Sequence, residues 1–156
     1  MVAVRLQPMT EEEFAGYRAE SIPSYAADVG RADGTPEAES MQRALESYER
    51  ILPKGLATPG HTVSWVLDAT TGERVGHLWL FHDPTAPKSF VYDILILPTF
   101  RRRGYAEATL AQAESAGRAH GATRLELHVF GHNTGATALY EKLGFTTTHR
   151  MMSKPL

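Results

Sequence analysis

The most concentrated chemical signal in the chain is a basic, glycine-containing turn between a predicted strand and a predicted helix. It follows the apolar run 90–97 and reads Arg101-Arg102-Arg103-Gly104-Tyr105-Ala106-Glu107. The first N–H groups of a helix have no partner within the helix and carry the positive end of its dipole. Gly104 and the small Ala106 allow an anion to approach these groups closely. Because the turn joins a buried strand to an alanine-rich helix, we interpret it as a phosphate-binding loop rather than a solvated basic turn.

A carboxylate inside the same apolar strand is the second signal. Asp93 is costly to bury unless it is paired, so it must meet a hydrogen-bond donor or a cation. A structural hydrogen bond from a helix or loop is the favoured explanation, and contact with a cationic ligand is the alternative. Strand alternation places Asp93 on the face opposite Tyr92 and Ile94. Tyr92 is then available to line a ligand pocket.

A histidine in the next predicted strand is the third signal. His128 lies in the run 125–130, on the face opposite the apolar residues of that strand. The usual imidazole pKa of about 6.5 suits a base near neutral pH. A half-exposed strand histidine without a chemical role explains the pattern equally well. His132 does not share a face with His128, so no metal site is expected from this pair.

Hydrophobic periodicity predicts the elements that position these residues. Thr10 is a plausible N-cap with three glutamates after it, and that helix is expected to end around Pro23, leaving a loop over 28–36. The run 90–97 is typical of a central strand buried on both faces. Strands are predicted at 2–6, 62–68, 73–81, 89–97 and 125–130, with one or two more within 145–154, and further helices at 36–52, 104–120 and 136–143.

Composition limits the classes of function. The chain has 156 residues and no cysteine, which removes disulfides, thiolate zinc sites and a cysteine nucleophile. We expect a single domain, 1–156, in a reducing cytoplasm. A formal net charge of -2 argues against general attraction to nucleic acid or to an anionic membrane. No signal peptide or membrane span is expected from the N-terminal residues.

Two blocks of sequence resemble the GNAT superfamily of N-acetyltransferases. The first is the acyl-CoA signature, in which an arginine or glutamine is followed at fixed spacing by glycine and then glycine or alanine. Arg101, Gly104 and Ala106 hold those places. The second block, separated from the first by a helix and a strand, comprises Asn133, Ala136, Leu139-Tyr140 and Gly144-Phe145. The resemblance implies a mixed α/β fold: a mostly antiparallel sheet of six to seven strands with about four helices and one parallel βαβ unit.

The resemblance also implies roles for individual residues. The backbone amides from Arg102 to Glu107 would hold the CoA pyrophosphate, with Asn133 also near the cofactor. The backbone of Ile94, Leu95 and Ile96 would pair with the pantetheine arm, and the Ile96 N–H would polarise the thioester carbonyl. Tyr140 would be the general acid that protonates the departing thiolate. The alternative explanation is that Tyr140 is an aromatic residue that only fills the core.

The acceptor side is less defined by sequence. Some relatives carry a catalytic glutamate at the position aligned with His128, so His128 is the candidate general base. Asp93, or a path through water, is the alternative base. Tyr25, Tyr92, Asp93 and His128 are expected to line the acceptor pocket.

The expected reaction is direct transfer of acetyl from acetyl-CoA to a primary amine of a small molecule or peptide in a ternary complex, without a metal. A non-catalytic acyl-CoA-binding domain is the alternative. No nucleic acid or membrane partner is expected, and a homodimer remains open.

Overall fold

The computed structural model describes residues 1–156 and contains one five-stranded sheet whose strand order follows the chain. Strands β1 to β4 pair antiparallel, and β5 pairs parallel to β4 after the connecting helix α3. The prediction of a mixed α/β sheet with four helices and one parallel βαβ unit is therefore confirmed. The elements are β1 Val4–Pro8, α1 Glu11–Asp33, α2 Glu37–Ile51, β2 His61–Asp68, β3 Arg74–His82, β4 Lys88–Ile96, α3 Tyr105–Ala119, β5 Arg124–Leu127 and α4 Thr134–Lys142.

Each face of the sheet packs against helices and has its own buried cluster. One cluster joins β2 to β4 with α3 and includes Leu78, Leu80 and Leu110. The other joins the sheet to α1 and α2 through Tyr17, Tyr48, Val63 and Trp79, among others. The sheet is thus a layer between two helical layers, and the face under α1 and α2 is the aromatic one.

The number of strands is smaller than predicted. Five strands form instead of six or seven, because the residues predicted as closing strands, 145–154, adopt no regular structure. A strand exists only where its backbone groups pair with a neighbour. Beyond Phe145, whose N–H donates to Tyr140, no backbone hydrogen bond joins these residues to the rest of the chain.

Helix α1 is longer than predicted. Thr10 caps it with a capping box to Glu13, as expected, but the helix continues through Pro23 to Asp33 and ends at Gly34, whose φ is 68°. The predicted loop 28–36 shrinks accordingly to the three residues between α1 and α2. Burial of one stripe of α1 outweighs the backbone hydrogen bond that Pro23 removes. No helix of the fold combines the length and hydropathy needed to cross a bilayer.

Strand β4 departs from regular alternation at Tyr92. Asp93 lies opposite Trp79 and Val91 lies opposite Leu80, so Tyr92 is an extra residue without a partner in β3. A bulge of this kind places two consecutive side chains on the same face. Tyr92 and Asp93 therefore both face α1 and α2, and the prediction that they lie on opposite faces is wrong. The prediction that β4 is buried on both faces is also wrong, since Tyr92 is exposed.

A glycine in β3 allows β4 to approach closely. A Cβ at Gly76 would lie 2.0 Å from the carbonyl oxygen of Leu95, which is backbone and cannot move aside. We expect Gly76→Ala to lower the free energy of unfolding by about 3 kcal/mol. The melting temperature should fall by roughly 6–12 °C for a domain of this size. Gly16→Ala is the matched control, because Gly16 is helical and a Cβ there meets nothing within 4 Å. Equal stability of the two variants in thermal denaturation would contradict this explanation.

Candidate active site

A gap opens between β4 and β5. The two strands pair only from Lys88 to Val91, and β4 then continues to Ile96 beside β3 alone. The Leu97 N–H donates to the carbonyl of Val75 in β3 at 2.8 Å. In an antiparallel pair, every second residue bonds to the neighbouring strand, so Leu95 also bonds to β3. The N–H and C=O groups of Ile94 and Ile96 therefore point into the gap. The Ile96 carbonyl there accepts from Arg101 Nε at 2.9 Å. Of the three predicted backbone residues, two thus present free N–H groups, and Leu95 is engaged within the sheet.

The predicted phosphate loop leads directly from this gap into α3. None of the six backbone N–H groups from Arg102 to Glu107 donates to a protein acceptor. Gly104 is the N-cap of α3, with φ of 90° and no side chain to cap the helix, and Arg102 also has a positive φ, 63°. A row of free donors at the positive end of a helix fits a diphosphate in number and charge.

The side chains of this loop have separate roles. The hydroxyl of Tyr105 donates to Asp68 Oδ2 at 2.5 Å, and this hydrogen bond is the main reason that the pKa of Asp68 is lowered. The buried Tyr105 ring therefore fixes the start of α3 to the β2–β3 turn, and only its N–H is free. Arg103 lies over the ring of Phe100 at 5.8 Å. Glu107 is exposed and 3.9 Å from Lys142 of α4.

Asp93 is the centre of a hydrogen-bonded cluster under α1. Its Oδ2 accepts from the Tyr17 hydroxyl at 2.7 Å and lies 2.8 Å from Nε2 of His77. In the tautomer that carries its proton on Nε2, His77 donates to this oxygen as well. Burial first, and the charge of Asp93 second, raise the pKa of Tyr17 well above its usual value. The side chain of Asp93 is 30% exposed and its Oδ1 makes no hydrogen bond, so one oxygen is oriented by the protein and the other is free.

His77 was not identified as a functional residue from the sequence. Its position on β3 places it on the same face as Trp79, two residues away, and diagonal to Asp93. The contact depends on the β3–β4 register and on the bulge at Tyr92, neither of which alternation within one strand reveals. One sequence feature could have indicated this residue. His77, Trp79 and Phe81 alternate along one strand and so share a face, and that strand precedes the one that carries the isolated Asp93.

Tyr140 lies on α4, half-buried and beside Phe145, with ring centroids 5.7 Å apart. Burial, and then the charge of Asp93, raise the pKa of its phenol. Its hydroxyl makes no hydrogen bond with the protein. Asn133 begins the same helix, and its Oδ1 accepts from the N–H of Ala136 at 3.3 Å. Asn133 is therefore a helix cap, and its amide NH₂ group is free.

The remaining predicted residues lie on an aromatic rim beside Asp93. Tyr92 stacks on Trp79 at 4.7 Å. Tyr25 of α1 contacts Phe130 at 6.1 Å, and the exposed His128 meets the same Phe130 ring at 4.8 Å. Tyr25 and His128 thus share one side of the rim through Phe130. His128 makes no hydrogen bond, whereas Asp93 has two donors to orient it.

A second contact fastens α1 to the loop that follows β5. His132 Nε2 lies 2.8 Å from Oδ1 of Asp28, and the His132 ring stacks on Phe130 at 5.4 Å. This hydrogen bond joins residues 104 apart in the sequence, and its Asp28 lies on the part of α1 beyond Pro23.

The fold is shared with known acetyltransferases. The family model described as acetyltransferase (GNAT) family matches residues 27–145. YdgE of Bacillus subtilis, an uncharacterized N-acetyltransferase, is 36% identical over 99% of both chains. The crystal structure of YycN, a putative acetyltransferase of the same organism, is 34% identical, covers 99% of both chains and superposes with a TM-score of 0.91. An aminoglycoside N-acetyltransferase in complex with CoA shares the fold, with 19% identity and a TM-score of 0.61 over the whole of this chain and 96% of that one.

Proposed function

The chain belongs to the GNAT family of acetyltransferases, and we propose that it transfers acetyl from acetyl-CoA to a primary amine of a small molecule or peptide by direct attack in a ternary complex. The observation that carries this proposal is that three features adjoin one another: the free N–H groups of the loop, the free edge of β4, and the hydrogen-bonded cluster around Asp93. The donors of residues 102–107 adjoin the open edge of β4, and that edge leads to Asp93.

The donor side is proposed to use backbone groups almost entirely. The N–H groups from Arg102 to Glu107 would bind the pyrophosphate, and the arginines of that loop would add charge. Ile94 and Ile96 would pair with the amides of the pantetheine arm as an added strand does. Acetyl-CoA, when bound, supplies the acetyl thioester, and the Ile96 N–H is placed to polarise its carbonyl.

The acceptor side is proposed to use Asp93 as the base. The free Oδ1 would receive a proton from the attacking nitrogen, which becomes acidic as the new C–N bond forms. Tyr17 and His77 would hold the carboxylate in position through Oδ2. His128 is the second candidate, and it is disfavoured because no hydrogen bond orients its ring.

The leaving group would receive its proton from Tyr140. A thiol has a pKa of about 8.5 and an ordinary phenol one of about 10, so the phenol is protonated whenever the thiolate departs. The raised pKa of Tyr140 keeps its phenol protonated to a higher pH. One proton leaves the amine for Asp93 and one leaves Tyr140 for sulfur, and exchange with water restores both groups.

The phosphate loop gives a direct prediction. Gly104→Asp would place a carboxylate at the N-cap, where it accepts from the loop N–H groups and repels a diphosphate. We expect the dissociation constant for CoA, measured by calorimetry, to rise about 100-fold, or roughly 2.8 kcal/mol.

Gly121→Asp is the matched control for this change. It introduces the same residue at a similar positive φ, 83°, beyond the other end of α3, where a Cβ meets nothing within 4 Å. Equal CoA affinity of the two variants would remove the loop from the proposed donor site.

The reaction itself is tested by release of free thiol from acetyl-CoA with a panel of amines. The panel should include aminoglycosides, polyamines, amino acids and peptides with free N-termini. Release that depends on an amine, with the acetylated amine identified by mass spectrometry, would support the proposal. Tight CoA binding without turnover of any amine would favour a non-catalytic acyl-CoA-binding domain, and no CoA binding would overturn the function.

A further inference from the structure

Four aromatic rings form a continuous row on the face of the sheet that carries Asp93. Tyr25 of α1 contacts Tyr48 of α2, with ring centroids 6.4 Å apart. Tyr48 contacts Trp79 of β3 at 5.3 Å, and Trp79 in turn stacks on Tyr92 of β4 at 4.7 Å. Burial raises the pKa of Tyr48 most, and the charge of Asp93 raises it further. This aromatic row therefore lies beside the carboxylate.

The two ends of the aromatic row are open to solvent, whereas its middle is buried. Tyr25 and Tyr92 are each 37% exposed, and no other tyrosine, tryptophan or phenylalanine of the chain is exposed. The hydroxyl of Tyr48 and Nε1 of Trp79 each donate to a protein acceptor at 3.0 Å. The hydroxyls of Tyr25 and Tyr92 bond to no protein group. The two end rings are thus free to contact a ligand.

The bulge in β4 brings one of these end rings next to the free oxygen of Asp93. Tyr92 is the extra residue of the bulge, so its side chain shares a face with that of Asp93. Consecutive Cα atoms are about 3.8 Å apart, so a short alkyl chain can reach from Asp93 Oδ1 to the Tyr92 ring. In a regular strand the two side chains would lie on opposite faces. The bulge therefore combines a carboxylate oxygen and an aromatic ring in one surface.

We propose that the acceptor is a primary amine joined by a short alkyl chain to an aromatic ring, with its nitrogen at Asp93 Oδ1 and its ring packed on Tyr92. This inference rests on the proposed function and names the class of its acceptor. Aromatic rings that stack or meet edge to face gain more than their apolar burial alone provides. Tyr25 would contact the same ring from α1, and the two free hydroxyls could bond to polar substituents on it.

The charges near Tyr92 disfavour an acceptor with a second ammonium group. Burial raises the pKa of Tyr92, and the charge of Arg50, the strongest of the charges that act on it, opposes this rise. Arg50 makes no ion pair. The weaker effects of Asp83 and Lys88 act in opposite directions. A second ammonium packed on Tyr92 would therefore meet an unpaired cation, whereas an uncharged ring would not.

The first test compares three primary amines of similar length, phenethylamine, hexylamine and cadaverine, as acceptors with saturating acetyl-CoA. We expect kcat/KM for phenethylamine to exceed the other two values by about tenfold. Tyr92→Ala should remove this preference, and Tyr92→Phe should retain it. Leu45→Ala, which truncates an equally exposed apolar residue of α2 outside the aromatic row, is the matched control and should leave the preference unchanged.

The second test measures binding without turnover. CoA has no acetyl group to transfer, so calorimetry of phenethylamine with the CoA-saturated protein reports the affinity of the acceptor alone. Tyr92→Ala should raise the dissociation constant about tenfold. Thermal denaturation checks that the variant is folded, and Tyr92→Leu, which keeps apolar volume without a ring, replaces it if the alanine variant unfolds.

The outcomes distinguish this inference from the proposed function. Turnover of all three amines with equal kcat/KM, or a preference for cadaverine, would overturn the aromatic acceptor and leave the acetyltransferase proposal in place. A preference for phenethylamine that survives in both Tyr92→Ala and Tyr92→Leu would overturn the assignment of the ring to Tyr92. Tight CoA binding without turnover of any amine would overturn both proposals.

Discussion

Asp93→Asn is expected to reduce kcat by roughly 10²- to 10⁴-fold, the range measured for loss of a general base. Asparagine has the same shape and can still accept from Tyr17, but it cannot receive a proton. The dissociation constant for CoA should change less than threefold, since Asp93 faces α1 and not the phosphate loop. The rate should be measured at saturating amine and acetyl-CoA over a range of pH.

The split between kcat and KM separates a base from a structural residue. With a base at Asp93, the loss in the asparagine variant should lie in kcat, with the KM for acetyl-CoA and the thermal stability unchanged. Asp83→Asn is the matched control, because Asp83 lies in the β3–β4 turn and its side chain accepts hydrogen bonds from Thr85 alone. A kcat for Asp93→Asn within threefold of the parent would reject the base, and His128→Ala would become the decisive variant.

The two orienting residues should have smaller and distinguishable effects. Tyr17→Phe and His77→Gln each remove or alter one donor to Oδ2 while leaving the free oxygen of Asp93 in place. If they only position the carboxylate, they should lower kcat less than Asp93→Asn does.

The elements of the proposed acetyl-CoA side of the site could be predicted from the sequence because they are formed by consecutive residues. The free amides depend on a helix starting at Gly104, and residues within a few positions determine that start. The strand before the loop and the helix after it were both predicted to within a residue or two. The proposed phosphate-binding loop is one continuous segment, so its free N–H groups can be predicted without the tertiary structure.

The acceptor side could not be predicted because its contacts cross the chain. Tyr17 and Asp93 are 76 residues apart, and His132 and Asp28 are 104 apart. Pro23 suggested a helix end, but the packing of α1 on the sheet and its contact with the β5–α4 loop override that local signal. The bulge at Tyr92 inverted the predicted facing of Asp93, because a single extra residue shifts all later side chains to the other face.

Electrostatic coupling links the two proposed catalytic residues. The charge of Asp93 contributes to the raised pKa of Tyr140, so removing that charge should lower the Tyr140 pKa. The two groups would then act as a unit, and the double variant Asp93→Asn/Tyr140→Phe should lose less activity than the product of the single losses. Independent multiplication of the two losses would indicate that the residues do not cooperate in one step.

Tyr140→Phe alone is expected to lower kcat about 100-fold, with little change in CoA affinity or stability, because only a hydroxyl without a protein partner is removed. The phenol works when protonated, so activity is retained as pH rises and declines only above the Tyr140 pKa. Because burial and the charge of Asp93 raise that pKa, the decline should begin at a higher pH than it would for an ordinary phenol. Steady-state rates of the parent protein at saturating amine should therefore show no decline around pH 8. A decline that starts near pH 8 would identify a different acid, and a Phe variant of full activity would leave protonation of the thiolate to water.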